Sequence, residues 1–339
     1  MNQEIATEPS VFCPVCGKQG QPLYSQVPDR LFGVAGLWNY SACPDCKISW
    51  LNPKPKTEEI EKLYKTYYTH HQPMLYTPGM DLPLRKHIKF YILNKKFGFN
   101  ISLPKKSLPR SFIVAFLGSM PSLINRAGDS IGWVRLKRDG KILDVGFGSG
   151  DFLTEMQYAG WQAYGLEPDG KVVAAAQALG LKAAQGILET APYPENYFDA
   201  IYMDNVVEHL PNPEAALKKC FEMLVPGGSL VIKTCSNSSL AHRVFKKSYR
   251  GLETPRHFVI FSPLAIKKLG KKIAFKTTIL KTSLNAYIWF SSYKIAKSKP
   301  NASEAPGNGF IRMILKAFSM IQLTIKPLSG DDILAVLKK

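Results

Sequence analysis

Four cysteines of this chain fall into two C-x-x-C pairs, Cys13-Pro14-Val15-Cys16 and Cys43-Pro44-Asp45-Cys46, with 26 residues between the pairs. Thiolates at that spacing suit one closed tetrahedral zinc site, and Pro14, Pro44 and Gly17 are the residues that knuckle turns use. Cys13, Cys16, Cys43 and Cys46 are therefore the expected metal ligands, with free or redox thiols as the alternative. A site closed by four thiolates has no open position, so its role is structural. A second cluster is Asp144-Val145-Gly146-Phe147-Gly148-Ser149-Gly150-Asp151, three alternating glycines behind the apolar run from Lys141. Such a loop lets its backbone approach a ligand closely, and the helix start behind it offers free N–H groups to an anion. A dinucleotide fingerprint needs a glycine where Asp151 stands, and an acid there repels a pyrophosphate. A zwitterionic amino-acid group fits better, its ammonium toward Asp144 or a carbonyl and its carboxylate on an N–H.

The elements that must hold these residues read as follows. Lys141–Val145, Ala163–Glu167, Phe198–Met203 and Ser229–Lys233 are strand-like, and Asp151–Met156, Lys171–Leu179 and Pro213–Leu224 are helical. Pro226-Gly227-Gly228 reads as a stop between the last helix and its strand. Phe275–Thr282 and Asp332–Lys338 read as two further strands. This alternation implies an α/β, Rossmann-like sheet of seven mostly parallel strands with helices on both faces. Three regions follow: 1–56, a zinc module ending in the Pro/Lys linker Asn52–Lys56; 57–135, a basic helical region opened by a short helix with Thr57 at its N-cap; and 136–339, the α/β domain, with a helical insertion at about 285–330.

The glycine loop is where a family resemblance becomes specific. Asp144, Gly146, Gly148 and Gly150 resemble the first motif, E/D-x-G-x-G-x-G, of class I S-adenosylmethionine-dependent methyltransferases. Glu167, 21 residues past Gly146 at the end of the second strand, resembles the acid that holds both ribose hydroxyls. Pro194–Asp199, Val206–Leu210 and Leu224–Gly228 resemble later landmarks in family order. The resemblance implies S-adenosylmethionine as cosubstrate. It gives Phe147, Pro168, Asp204 and Asn205 places around it, and adenine lies by apolar packing and the Leu188 backbone. Two departures stand out: Ile187 occupies the position where relatives carry an acid for the adenine amino group, with Glu189 as a substitute, and Phe147 replaces a frequent Cys.

His257 and His209 are the candidate proton-handling residues. Glu253-x-Pro255-Arg256-His257-Phe258 followed by Phe261-Ser262-Pro263 resembles a bacterial methyltransferase group with a similar N-terminal cysteine module. That resemblance implies a substrate or proton-handling role for His257, with core packing as the alternative. Arg256 beside it suits an anionic substrate group. His209 equally suits a helix start, and Tyr67, Tyr68, His70 and His71 suit a closing segment. Cys235 stands where RNA cytosine-5 methyltransferases carry a nucleophile, but the partner Pro-Cys motif is missing. It reads as a pocket residue, and Cys220 as packing.

Composition narrows the partners. Of a net +18, residues 141–232 carry 5 Lys/Arg against 12 Asp/Glu, and the rest carries 39 against 14. Basic flanks around an acidic centre suit a polyanion or an anionic membrane surface, or serve solubility alone. Residues 82–128 contain no acid and interleave Lys and Arg with Phe90, Tyr91, Phe97 and Phe99. Phe310–Ile325 is apolar except for Arg312, Lys316, Ser319 and Gln322 on one narrow stripe, which implies burial in protein or lipid. No window of eighteen residues is wholly apolar, so a spanning helix is not expected. Met1–Ser10 lacks the apolar core of a secretory signal, and the reduced cysteines point to the cytoplasm, with a peripheral place on the inner membrane face also open. The reading that results is methyl transfer, O-methylation favoured, to a small molecule, sugar or lipid-linked glycan. Nucleic acid is an unfavoured acceptor, since Asp204-Asn205-Val206-Val207 lacks the N/D-P-P-Y/F run. A non-catalytic zinc adaptor is the third reading.

Overall fold

The computed structural model describes residues 5–64, 73, 75–77, 80–103, 108–137, 139–297 and 326–339. Tyr67, Tyr68, His70, His71 and the apolar stretch Phe310–Ile325 lie outside them. The strands in chain order are β1 (Thr7–Glu8), β2 (Gln21–Pro28), β3 (Leu37–Cys43), β4 (Ile48–Leu51), β5 (Lys54–Pro55), β6 (Lys141–Val145), β7 (Gln162–Glu167), β8 (Lys182–Gln185), β9 (Phe198–Asp204), β10 (Leu224–Cys235), β11 (Val259–Ile260), β12 (Lys276–Ser283) and β13 (Asp332–Lys338). The helices are α1 (Leu84–Phe97), α2 (Leu108–Gly118), α3 (Pro121–Ser130), α4 (Asp151–Tyr158), α5 (Gly170–Ala178), α6 (Pro213–Met223), α7 (Leu240–Phe245), α8 (Pro263–Lys272) and α9 (Ala286–Ala296).

Seven strands form one sheet in the order β12-β13-β10-β9-β6-β7-β8. β6 pairs in parallel with both β7 and β9, and β7 with β8. The sequence explains the central strands: β6 and β9 are almost continuously apolar and buried, as a sheet covered on both faces requires. The Rossmann-like sheet expected from the strand–helix alternation is thus present, including the late strands β12 and β13. One boundary differs. The fifth strand was expected to start at Ser229 after a Pro-Gly-Gly stop, yet β10 begins at Leu224, directly after α6. The cause is long-range pairing: Gly227 N–H donates to the Lys339 carbonyl at 3.1 Å, and Lys339 N–H donates to the Gly228 carbonyl at 3.1 Å. Gly227 takes φ +76°, which a glycine adopts without a Cβ clash.

The chain divides into two compact units. The first comprises residues 1–68, 204–218 and 232–335, and the second 69–203, 219–231 and 336–339. In the first, β2, β3, β4 and β11 make an antiparallel sheet in the order β11-β4-β3-β2. Its fourth strand arrives from far along the chain, Val259 opposite Trp50 and Ile260 opposite Ser49. Val27, Trp38, Tyr40 and Leu51 share one core with Cys235, Tyr249, Leu252, Ile288 and Trp289. The cysteine-bearing segment therefore folds against residues more than 180 positions away instead of forming a separate bead.

In the second unit, α1, α2 and α3 pack together, and α1 is tied to α4 by charge. Lys86 and Lys89 both pair with the buried Glu155 carboxylate, the former at 2.8 Å. Burial alone would raise that carboxyl, but the two ammonium groups hold it below the usual range.

Candidate functional site

Within the second unit, β6 delivers the chain into the glycine loop and β7 delivers Glu167 beside it. Asp144 pairs across the sheet with Gly165, and Val145 with Leu166. At the strand end Gly146 N–H donates to the Leu166 carbonyl at 2.7 Å, and Gly150 N–H donates to the Phe147 carbonyl at 2.9 Å. Gly146, Gly148 and Gly150 have φ of +64°, +52° and +82°. Three left-handed residues in five are affordable only for glycine, so the backbone requires the alternation. Among the described residues, a Cβ added at Gly148 would meet nothing nearer than the Gly146 carbonyl oxygen at 4.0 Å. Gly150 caps α4, its carbonyl accepting from Thr154 N–H at 2.9 Å.

Glu167 is 9% exposed. One carboxylate oxygen accepts from Gly148 N–H at 3.2 Å, and the other from Asp169 N–H at 3.4 Å. The acid therefore turns toward the glycine loop, as a residue gripping a ligand seated there must. Asp144 is buried at the base of the same loop. Phe147 is buried, and its ring lies over the sheet: a Cβ at Gly165 would stand 2.5 Å from the Phe147 Cδ1. Gly165→Ala is therefore expected to displace Phe147 at a cost of about 1–3 kcal/mol, the usual penalty for overpacking. Paired denaturation and ligand calorimetry should show lower stability and weaker S-adenosylmethionine binding together. An unchanged melting profile would remove Phe147 as the loop's prop. Further along, Leu188 is buried in the turn Leu188–Thr190 while the Ile187 side chain is 48% exposed. Pro168 is exposed, its carbonyl accepting from the Gln185 amide at 3.1 Å.

Asp204 and Asn205 belong to the first unit. Asn205 takes φ +54° and donates its N–H to the Lys233 carbonyl at 2.9 Å, and its side-chain amide donates to Asp204 at 2.9 Å.

The four paired cysteines also lie in the first unit, and their sulfurs all come within 4.8 Å of one another. Cys16 and Cys43 sulfurs are 3.6 Å apart. Four thiolates on zinc at a bond of about 2.3 Å stand about 3.8 Å apart, so the donor set fits that ion. Both knuckles share one backbone form: Gly17 N–H returns to the Cys13 carbonyl and Lys47 N–H to the Cys43 carbonyl, each at 2.9 Å. Gly17 and Lys47 both have positive φ, +72° and +54°. Cys46 N–H donates to the Cys43 sulfur at 3.3 Å. Ser262 ties the knuckle to α8, donating its hydroxyl to the Cys46 carbonyl at 2.6 Å while accepting from Ala265 N–H at 3.0 Å.

His209 and His257 come together, their rings edge to face with centroids 4.5 Å apart. His257 is buried; its Nδ1 donates to the Gly251 carbonyl at 2.8 Å. Burial, reinforced by His209, pushes His257 down to about 3, so its ring is neutral. His209 is partly exposed, with Nδ1 2.9 Å from the Tyr64 hydroxyl and 3.1 Å from the Arg256 carbonyl; burial of the ring lowers it too. Arg256, expected to meet an anionic substrate group, is instead 0% exposed. Its fork grips Asp29 through Nη1 at 3.0 Å and Nη2 at 3.3 Å, and Nε donates to Glu253 at 3.4 Å. Glu253 also pairs with Arg250, and burial, which would raise its carboxyl, is outweighed by Arg250 foremost, so it stays well below the usual range. Sequence reasoning missed Asp29 and Glu208. Asp29 caps its own loop through Leu31, Phe32 and Val34 N–H groups, and no local pattern joins it to a residue 227 positions on. Glu208 sits in the turn Val207–His209, fully buried, and burial pushes its carboxyl up to about 8.

Residues 117–278 match the family model described as a methyltransferase domain. That match covers just under half of the chain and takes in the glycine loop and the strands from β6 to β11. Over 108 residues the chain is 29% identical to the ubiquinone biosynthesis O-methyltransferase of Xanthomonas oryzae, a match covering 30% of this chain and 45% of that protein. The mitochondrial ubiquinone biosynthesis O-methyltransferase of Rattus norvegicus is 31% identical over 112 residues, 30% of this chain and 32% of its own length. The match thus spans less than half of each of these relatives. Among solved structures, a methyltransferase from Archaeoglobus fulgidus aligns at TM-score 0.45 and 17% identity, covering 69% of this chain and all of that one. Another from Mesorhizobium loti aligns at 0.41 and 15%, covering 60% and 94%.

Proposed function

We propose that this chain transfers the methyl group of S-adenosylmethionine to a hydroxyl of a small molecule, a sugar or a lipid-linked glycan intermediate. The observation that carries the reading is Glu167, whose carboxylate faces the N–H of Gly148 at 3.2 Å beside the glycine loop. In this reading Glu167 grips the two ribose hydroxyls with charge-assisted bonds, Asp144 and the loop N–H groups take the amino-acid end, and Leu188 lies against the adenine. Pro168, beside Glu167, belongs with these cofactor residues. The donor supplies an electrophilic methyl on a sulfonium, and the protein aligns it with the acceptor and keeps water out. The names of the Xanthomonas and rat relatives support an oxygen acceptor.

Proton handling is assigned to His209, which is partly exposed and neutral, in preference to the buried His257. The four paired cysteines hold a structural zinc. Among the described residues no helix is long and apolar enough to cross a membrane. The reduced thiols suit the cytoplasm, and the basic flanks suit an anionic surface on its membrane face.

The test is transfer of labelled methyl from S-adenosylmethionine to panels of catechol-like phenols, nucleotide sugars and bulk tRNA. Label on a phenol or sugar hydroxyl is the expected result, reduced about 100-fold in kcat by His209→Gln. Label on tRNA alone, lost steeply as salt rises, would replace this reading with an RNA enzyme. No binding of S-adenosylmethionine at all would leave a zinc adaptor.

A further inference from the structure

A second cluster of metal-type donors lies in the first unit, away from the paired cysteines and unused by the function proposed above. Glu208, Cys235 and His257 are all buried and bring one donor atom each within 4.8 Å of the others. They come from separate segments: Glu208 from the turn after β9, Cys235 from the last position of β10, and His257 from the stretch before β11. The Gly251 carbonyl oxygen joins them, 3.4 Å from the Cys235 sulfur and 2.8 Å from His257 Nδ1. The sulfur and Nδ1 are 3.7 Å apart.

These separations compare directly with a coordination shell. Around a tetrahedral zinc, with bonds of about 2.3 Å to sulfur and about 2.0–2.1 Å to nitrogen and oxygen, sulfur stands about 3.5 Å from its N and O neighbours. The two sulfur distances already match, and the Nδ1–O contact must open by about half an ångström.

Hydrogen bonds within the protein account for part of the cluster, since the imidazole N–H and the thiol both point to the Gly251 carbonyl. They leave Glu208 unexplained. Its carboxyl is completely buried, and among the described residues neither oxygen has a hydrogen-bond partner of ordinary geometry, its own backbone N–H giving only an electrostatic pull. The Thr234 hydroxyl is near enough to favour the ionised form, yet makes no hydrogen bond of ordinary geometry to it. Buried carboxyls are normally bonded, paired or metal-bound. The surrounding charges do not supply a cation for Glu208. Asp204 and Glu253 add negative potential at it, Glu253 and Asp332 do so at Cys235, and Arg250 and Arg256 are engaged by Glu253 and Asp29.

We propose that Glu208, Cys235 and His257, closed by the Gly251 carbonyl, form a second metal site for a divalent ion with zinc's preference for mixed sulfur, nitrogen and oxygen donors. On binding, the Cys235 thiol and the Glu208 carboxyl release their protons to solvent, while the neutral His257 ring keeps one proton, which moves from Nδ1 to Nε2, 3.7 Å from the Glu253 carboxylate, so that the Nδ1 lone pair meets the metal. Four protein donors leave no open position, so the ion pins residues 251–257 to the ends of β9 and β10 and takes no part in methyl transfer.

The test is a count of zinc per chain by mass spectrometry after equilibration with excess zinc sulfate and gel filtration. Wild type is expected to hold two, and Glu208→Gln and Cys235→Ser one each, with circular dichroism confirming that both stay folded. Cys43→Ser, which opens the knuckle site, is expected to keep the second ion. One zinc in wild type, falling to none in Cys43→Ser, would overturn the second site and leave the knuckle standing. Two ions retained in both Glu208→Gln and Cys235→Ser would overturn it as well. One zinc surviving in Cys43→Ser but absent from Cys235→Ser would support this site and sink the knuckle instead.

Discussion

Glu167→Ala is expected to weaken S-adenosylmethionine binding by about 100-fold in calorimetry. In the proposed reading the carboxylate makes two charge-assisted bonds to adjacent hydroxyls, and hydrogen bonds to charged groups contribute roughly 1.5–3 kcal/mol each. Losing both is a change of about 3 kcal/mol, or about two orders of magnitude in affinity. Glu167 also accepts from Gly148 N–H, so part of the loss comes through the loop it braces. Glu167→Gln separates the two contributions. The amide keeps one acceptor oxygen for Gly148 while lacking the charge, so it should restore the loop and only a small part of the affinity. Wild-type affinity in the alanine variant would remove the pocket from this loop, and with it the proposed chemistry.

Replacing Arg256 by methionine should cost about 3–5 kcal/mol of stability, read as a lowered midpoint of urea unfolding at constant slope. The side chains of Arg256 and Asp29 are both wholly buried and joined by a two-pronged contact at 3.0 and 3.3 Å. The guanidinium also reaches Glu253 and lies 4.1 Å over the Phe32 ring. Methionine fills much of the same volume, so the loss comes from leaving the buried Asp29 carboxylate without its cation, Glu253 keeping Arg250, and not from a cavity. Arg256→Lys should recover less than half, because a single ammonium does not reproduce the planar fork. A loss below about 1 kcal/mol in the methionine variant would show that the Leu31, Phe32 and Val34 N–H groups hold Asp29 without the guanidinium.

The contrast between these two residues shows what was legible beforehand. The placement of Glu167 was readable because it is local: a strand end a fixed distance beyond a glycine loop puts an acid beside that loop in any sheet of this kind. Arg256 was misread because its partner is chosen by tertiary packing. Asp29 is 227 positions earlier, in a loop that becomes its neighbour only when β2, β3 and β4 receive β11. The fifth strand's boundary failed for the same reason, its early start resting on pairing with Lys339.

By itself, the sequence determined the strand–helix alternation, the glycine loop with its required left-handed positions, the acid at the end of β7 and the two cysteine knuckles. Each of these is fixed by backbone sterics or donor chemistry within a short window. Only the tertiary structure decided that the cysteine segment completes its sheet with Val259–Ile260, that Phe147 props the loop against Gly165, and that Glu208, Cys235 and His257 share one buried place. Those outcomes depend on which distant surfaces exclude water from each other, a free energy that belongs to the packed chain and to no stretch of it.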